Sequence, residues 1–233
     1  MKTLLKTIMV PTIISIEGNI GSGKTTILNR LKTEFMNQQT QKKILFLREP
    51  VDIWETVKDN QNETILSKFY KNPKKHAFAF QVMAFSTRLT ILREAIQQNP
   101  DVEIILCERS LDADKEIFAK MLHDDGVIED TDYQIYNMFY NEITKQPEVK
   151  QLSGVIYINA EPEVSFERTK IRARDGESTI TLGYLKECHA YHEKWIGDKK
   201  QADLNYPVLN INANGLISEE QINSIFEFIH MFQ

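Results

Sequence analysis

The sequence predicts an α/β fold in three layers, with a five-stranded parallel sheet flanked by helices on both faces. Short apolar runs rich in β-branched residues alternate along the chain with long segments of helical periodicity. This alternation is typical of strand–helix–strand units, which build parallel sheets covered on both faces. The 233 residues contain no internal repeat or low-complexity linker. We therefore expect one domain over residues 1–233.

The predicted strands are short runs of mainly Ile, Val and Leu. Four of them cover residues 12–16, 43–47, 102–107 and 154–158, and a fifth candidate covers 207–211. Continuous apolar runs of this length are typical of strands that are buried on both faces.

The segments between these strands have the spacing of amphipathic helices. After the first strand, Ile27, Leu28, Leu31 and Phe35 form one apolar stripe. A long helix is predicted around residues 78–96, with a stop at 99–101, where an Asn-Pro-Asp sequence follows. Thr131 and Asp132 are candidate caps of a later helix. Glu161 and Pro162 are predicted to open another.

Residues 18–25, directly after the first strand, fit the P-loop pattern G-x-x-x-x-G-K-[ST]. They are Gly18, Asn19, Ile20, Gly21, Ser22, Gly23, Lys24 and Thr25. Backbone N–H groups of such a turn, together with the positive end of the following helix, bind phosphate groups. Lys24 can reach the outer phosphates and the Thr25 hydroxyl can bind Mg²⁺. The fold class is therefore a P-loop fold.

The other chemically active residues follow the remaining predicted strands. Glu49 comes after the second strand, and Glu108 and Arg109 come after the third. Ligands of open parallel sheets bind at the carboxyl ends of the strands, so these side chains are expected to meet at the P-loop. Phosphoryl transfer needs carboxylates for metal and acceptor, and cations for the developing charge.

An arginine cluster follows the fourth strand. Arg168 and Arg172 are spaced to share a helix face, whereas Arg174 would point away from it if the helix continued. Arginine runs found alone are most often solvated surface. Beside a P-loop, we interpret residues 168–178 as a mobile lid that closes on phosphates.

Composition limits the other classes of function. A net charge of −5 argues against a nucleic-acid-binding protein. The two cysteines, Cys107 and Cys188, have no metal-ligand spacing and suggest a reducing compartment. No apolar run is long enough to span a membrane. We expect a cytoplasmic protein without membrane attachment, although the first ten residues leave a short organellar presequence open.

Taken together, these motifs resemble those of the deoxynucleoside kinase family, which includes deoxycytidine, deoxyguanosine and mitochondrial thymidine kinases. The shared landmarks run from Ile16 to about Trp195, most of the chain. In order, they are 16–20 with Lys24 and Thr25, Glu49-Pro50-Val51 with Trp54, Tyr70 with Pro73, 78–81, Glu108-Arg109-Ser110, 117–119, and Arg168, Arg172, Arg174 and Glu177. Each short motif alone is a weak signal, but their joint order and spacing are specific.

The resemblance implies transfer of the γ-phosphoryl group of ATP to the 5′-hydroxyl of a deoxyribonucleoside, with Mg²⁺ as cofactor. It implies that Glu49 is the base and that Arg109 holds Glu49 and the 5′ end. Glu108 is expected on Mg²⁺ with Thr25. The lid residues Arg168, Arg172 and Arg174 are expected to clamp phosphoryl groups. Tyr70 and Glu177 match the pair that binds the 3′-hydroxyl of the sugar.

The resemblance also implies a base pocket. Gln81 matches the residue whose amide reads the base edge, and an amide offers both a donor and an acceptor. The wall positions are matched by Val51, Trp54, Leu66, Phe80 and Phe118. Arg88 and Asp114 match a charged pair found in members that take deoxycytidine and purine deoxynucleosides, so we expect these substrates to be preferred over thymidine. The alternative for this pair is a structural salt bridge.

Two other functions remain open at this stage. A nucleoside monophosphate kinase of the thymidylate type also has a P-loop and an arginine lid, but Glu49, Tyr70 and Glu177 suit a neutral sugar better. A P-loop protein without turnover would have to lack a catalytic group, and Lys24, Glu49 and Arg109 are all present. The expected partners are ATP and a deoxynucleoside, with a second copy of the chain in a homodimer through long helices.

Overall fold

The computed structural model describes residues 11–37, 43–146, 149, 152–174, 176–197 and 201–232. Residues 1–10, where the sequence leaves a presequence open, lie outside the described residues. Asp175 of the predicted lid also lies outside them.

A parallel sheet of five strands forms the centre of the fold. The strands are β1 (Thr12–Glu17), β2 (Ile44–Leu47), β3 (Ile104–Glu108), β4 (Gly154–Asn159) and β5 (Val208–Asn212). Their order is β2-β3-β1-β4-β5 and every neighbouring pair is parallel. All five predicted strands are confirmed to within two residues at each end, and so is the α/β fold class.

Helices cover both faces of the sheet. They are α1 (Lys24–Asn37), α2 (Val51–Trp54), α3 (Ile65–Lys71), α4 (Pro73–Gln98), α5 (Leu111–Ala113), α6 (Lys120–Asp124), α7 (Asp130–Thr144), α8 (Pro162–Arg172), α9 (Leu182–Ile196) and α10 (Glu219–His230). A π-helical segment, Asp114–Ala119, joins α5 to α6, and short 3₁₀ turns cover Glu177–Thr179 and Gln201–Asp203.

Alternate residues of β1 face the two helical layers. Ile14 and Ile16 pack in a cluster with residues of α1 and α10, whereas Ile13 packs on the other face in a cluster that includes Ile196 of α9. Because side chains of a strand alternate between its faces, this central strand holds both layers together. Its carboxyl end therefore has a fixed position.

Two helix ends differ from the sequence prediction. Helix α7 starts at Asp130 after Glu129, so Thr131 and Asp132 lie in its first turn and do not cap it. Carboxylates in a first turn stabilise the positive end of the helix, which explains the acidic residues there. Helix α8 ends at Arg172 because Ala173 takes a left-handed conformation, with φ of 48°.

Within the described part of the chain, no helix combines the length and the apolar character required to cross a membrane.

Candidate active site

The P-loop joins β1 to the first turn of α1. Gly18 and Gly21 have φ of 146° and 81°, and a Cβ on either residue would lie 2.4 Å from a backbone oxygen, that of Ile158 or Ser165. Only glycine fits such a conformation at such close approach. The Asn19 side chain donates to the Leu185 carbonyl of α9 over 2.8 Å, which ties the loop to the layer behind it.

The Lys24 ammonium lies folded over this loop. Its Nζ donates to the carbonyl oxygens of Gly18 and Asn19 at 3.0 and 2.8 Å. Burial and the neighbouring Arg109 charge lower the pKa of Lys24 to about 7. An anionic phosphate beside Lys24 would favour its charged form, so the residue fits the predicted phosphate contact.

Thr25 and Glu108 are brought together from the first turn of α1 and the end of β3. The Thr25 hydroxyl donates to Oε1 of Glu108. A hydroxyl and a carboxylate are the hard oxygen ligands that Mg²⁺ prefers, so this pair fits the metal predicted for it.

A cavity of about 460 Å³ opens in front of the P-loop. Its walls come from the P-loop, from the ends of β2 and β3, and from α8. They are Ile20, Gly21, Gly23, Lys24, Thr25, Thr26, Arg48, Glu49, Glu108, Arg109, Arg168, Ile171, Arg172 and Arg174. The cavity has the position and the cationic lining of a nucleotide phosphate site.

Glu49, just before α2, contacts two buried arginines. Its Oε1 accepts from Nε of Arg109 and from Nη2 of Arg88, each over 3.2 Å. Burial would raise the pKa of Glu49, but the charges of Arg109 and Arg88 outweigh it and hold this pKa at about 2. Glu49 is therefore a carboxylate at neutral pH and is able to accept a proton.

A second cavity, of about 60 Å³, lies on the other side of Glu49. Its lining consists of Ile20, Glu49, Val51, Trp54, Leu66, Phe69, Tyr70, Phe80, Gln81, Ala84, Arg88, Arg109, Asp114, Phe118, Arg174, Glu177 and Tyr184. It shares Ile20, Glu49, Arg109 and Arg174 with the first cavity. All twelve residues that the sequence predicts for the acceptor site line this cavity.

Six aromatic rings line this second cavity. Phe80 stacks on Phe69 with ring centroids 4.8 Å apart and meets Trp54 edge to face at 5.4 Å. Gln81 is 2% exposed, and its side chain makes no hydrogen bond with any residue that the structure describes. A buried amide without a protein partner leaves its donor and acceptor free for a ligand.

Arg88 and Asp114 form the buried pair that the sequence predicts. Nε of Arg88 donates to Asp114 Oδ2 at 2.9 Å. The same guanidinium also donates to the Glu108 carbonyl and to Glu49. Arg88 therefore has a structural role besides its place at the pocket, since it links the pocket to Glu49. Sequence reasoning did not predict this contact with Glu49.

The lid arginines have protein partners in this structure. Both Arg172 and Arg174 contact the Glu177 carboxylate, with shortest separations of 2.6 and 3.2 Å. Arg168 donates to the backbone oxygens of Ser22 and Gly215. The helix does not continue as far as Arg174, because the left-handed Ala173 ends it, and Arg174 contacts Glu177 instead.

Sequence reasoning assigned no site role to several residues of this region, among them Phe69, Tyr184 and Glu17. Phe69 and Tyr184 line the second cavity, and each sits in a helical segment where an aromatic residue is indistinguishable from ordinary core. Glu17 is fully buried at the end of β1. A charged residue closing an apolar strand was a signal that could have identified it.

His189 and His192 follow Cys188 on α9. From the sequence, we interpret this cluster as a polar helix face and not as a metal site, because it has no evident third ligand. Among the described residues there is no group of three side chains able to hold a metal ion. Cys107 and Cys188 are both buried free thiols.

Comparison with known proteins finds a matching family model and several related kinases. The family model for deoxynucleoside kinase matches residues 14–232. A fowlpox virus protein named "Probable deoxycytidine kinase" is 35% identical over 93% of this chain and 87% of its own length. Rat deoxycytidine kinase is 29% identical over 94% and 90% of the two chains. The mitochondrial deoxyguanosine kinase of Xenopus laevis is 30% identical over 93% and 89%.

Proposed function

Since the chain belongs to the deoxynucleoside kinase family, we propose that it phosphorylates purine deoxynucleosides or deoxycytidine in preference to thymidine. It is an ATP-dependent kinase, a transferase with an alcohol group as acceptor, and its reaction belongs to nucleoside salvage. The position of Glu49, which lines both cavities, supports phosphoryl transfer to a 5′-hydroxyl, whereas the base preference is carried by the Arg88–Asp114 pair and Gln81 in the second cavity.

In this proposal, ATP phosphates occupy the cavity at the P-loop and the nucleoside occupies the aromatic pocket. The 5′-hydroxyl then lies at Glu49, which accepts its proton. Phosphoryl transfer has a loose transition state with charge spread over the transferred oxygens. Lys24, Arg109 and the lid arginines supply positive charge there, so positioning and electrostatics contribute more than the base.

Thr25 and Glu108 would hold a magnesium ion. A magnesium ion there would supply positive charge against the negative charge that develops during transfer. The P-loop N–H groups and Lys24 would orient the phosphates.

The base preference rests on the polar groups of the pocket. The free amide of Gln81 suits adenine or cytosine, which present a donor and an acceptor side by side. The Arg88–Asp114 pair adds charge and bulk beside Gln81 on the same side of the pocket. Tyr70 and Glu177 line the same cavity and would bind the 3′-hydroxyl.

The test is a steady-state assay of the purified protein with ATP and Mg²⁺ on the four deoxynucleosides. We expect kcat/KM to be lowest for thymidine. Thymidine as the best of the four substrates would contradict the base preference. Because Glu49, Tyr70 and Glu177 suit a neutral sugar, we expect deoxynucleosides to be turned over faster than deoxynucleoside monophosphates. The opposite order would favour the monophosphate kinase alternative.

We further propose that the protein is a cytoplasmic homodimer. Ile135, Met138 and Phe139 form one exposed apolar face of α7, with the i, i+3, i+4 spacing of neighbours on a helix. Two copies related by a twofold axis would cover this face with itself.

The two buried free cysteines are consistent with a reducing compartment. Subcellular fractionation tests the proposed cytoplasmic location.

A further inference from the structure

Glu17 is a buried carboxylate that the mechanism above leaves without a role. It is the last residue of β1, directly before the P-loop, and is fully buried. Burying a charge costs several kcal/mol unless it is well paired, so a carboxylate at this position requires an explanation.

One of its two oxygens is bound to the turn after β3. Oε1 accepts from the backbone N–H of Ser110 over 2.8 Å and from the Ser15 hydroxyl. Ser110 follows Arg109, whose φ of 68° is in the left-handed region. Such a conformation is strained for a side chain larger than glycine and persists only where the surroundings impose it. Glu17 thus helps to hold the strained turn that carries Arg109.

The other oxygen faces the Arg109 guanidinium itself. Oε2 of Glu17 and Nη1 of Arg109 are 3.9 Å apart. Both atoms are buried, and neither makes a hydrogen bond within the described part of the chain. Burial raises the pKa of Glu17, and the Arg109 charge opposes that rise.

The remaining contacts of Arg109 define what this arrangement positions. Nε donates to Glu49 over 3.2 Å, Nη2 donates to the Gly18 carbonyl over 3.2 Å, and the guanidinium carbon lies 4.5 Å from the Phe118 ring centroid. The guanidinium therefore lies between two carboxylates, with Glu17 on one side and Glu49 on the other. Without Glu17, the Arg109 guanidinium would pair with Glu49 as its only carboxylate partner among the contacts above.

We propose that Glu17 is a positioning residue for phosphoryl transfer, which acts by sharing Arg109 with Glu49. It holds the guanidinium at the boundary between the two cavities and keeps Glu49 free to take the proton of the 5′-hydroxyl. This inference rests on the proposed function, because it requires Glu49 to act as the base.

The first experiment compares E17Q with the wild type. Glutamine keeps the shape and one acceptor oxygen but turns a neutral amide towards Nη1 of Arg109. We expect kcat to fall about 100-fold, the loss typical of a misplaced catalytic group, with the KM for deoxynucleoside and for ATP changed less than about threefold. The variant E17D keeps the charge and should recover part of kcat. S15A, which removes the hydroxyl that donates to Oε1 but leaves the carboxylate and its Oε2 facing Arg109, is the matched control and should keep kcat within about threefold.

A double-mutant cycle separates this role from a merely structural one. If Glu17 acts through Arg109 on Glu49, E17Q should have little further effect on kcat in the E49Q background. Multiplicative losses in the double variant would overturn the proposal. An E17Q enzyme with wild-type kcat would also overturn the proposal. The same holds if E17Q loses both its activity and its cooperative thermal unfolding transition and E17D restores no activity. Failure of the proposed function itself would be visible separately, as a wild-type enzyme that phosphorylates no deoxynucleoside.

Discussion

At the scale of single residues, the site is an alternating set of buried charges. Arg88 lies between Asp114 and Glu49, and Arg109 lies between Glu49 and Glu17. Removing one member of such a set leaves its partner buried without compensation, which costs more than the pair itself contributes. Substitutions here should therefore affect stability as well as turnover, and the two effects have to be measured apart.

The first prediction at this scale concerns turnover by Glu49→Gln. We expect kcat to fall by about 10² to 10⁴, the usual contribution of a general base, with a small change in the KM for deoxynucleoside. Steady-state kinetics measure this directly. Glu94→Gln, which changes an exposed carboxylate on α4, should leave kcat unchanged. An E49Q enzyme with full ATP-dependent turnover would exclude Glu49 as the base.

A second prediction uses the low pKa of the same carboxyl group. The two arginines hold the pKa of Glu49 at about 2, below its usual value of 4.5. A lowered pKa contributes stability that is present above pH 4.5 and is lost as the pH falls towards 2. E49Q should therefore unfold at a lower temperature than the wild type at pH 7, and this difference should shrink at pH 3.5.

Thermal unfolding at the two pH values measures that change. The control Glu94→Gln should show no comparable difference at either pH. A gap between E49Q and wild type that is equal or larger at pH 3.5 would mean that the arginine contacts do not stabilise the ionised form.

At the scale of elements, the predicted lid and the second cavity share one carboxylate. Glu177 is buried, lines the second cavity and contacts Arg172 and Arg174. If the two arginines are to reach phosphates, and Glu177 a sugar hydroxyl, the three groups have to exchange partners as the substrates bind. The lid segment is therefore linked to both substrates through a few hydrogen bonds.

The prediction for this element concerns sugars that lack a 3′-hydroxyl. Glu177→Gln should reduce the preference for a 2′-deoxynucleoside over its 2′,3′-dideoxy analogue by about ten- to a hundredfold, because a site built to bind a hydroxyl rejects a substrate without it. The ratio of kcat/KM for the two substrates is the measurement. Glu167→Gln, an exposed change on α8, should keep the ratio. An unaltered ratio in E177Q would remove Glu177 from sugar recognition.

At the scale of the whole molecule, the exposed face of α7 is the main candidate for self-association. Met138 and Phe139 are 67% and 56% exposed, and Ile135 lies beside them. Tyr136 and Tyr140 on the other side of the same helix are buried in the core. One face therefore stabilises the monomer, and the other is free to meet a second copy.

The prediction at this scale is a change of mass in solution. Light scattering coupled to size exclusion should give twice the mass of 27.1 kDa for the wild type and a monomer for Phe139→Glu. Asn223→Glu, an exposed change on α10 that lies away from this face, should remain dimeric. A monomeric wild type at micromolar concentration would contradict the homodimer.

Much of this molecule follows from local sequence signals. The strands, the P-loop and the start of α8 were predictable because strand periodicity, glycine spacing and an N-terminal proline act over a few residues. The resemblance then indicated twelve residues that line one cavity of the structure. Asp114 opens a π-helical segment that no local pattern indicated. The predicted start of α7 was wrong because Glu129 and Asp130 are as compatible with a turn as with a helix.

By itself, the sequence determined the fold class, the phosphate-binding loop and the set of residues available for catalysis. Only the tertiary structure decided how these residues share their charges. Arg88 and Glu49 are 39 positions apart, and Glu17 and Ser110 are 93 apart, so no local pattern could pair them. The physical reason is the strand order β2-β3-β1, which brings the carboxyl ends of three distant strands side by side. There, each buried charge must find an opposite one.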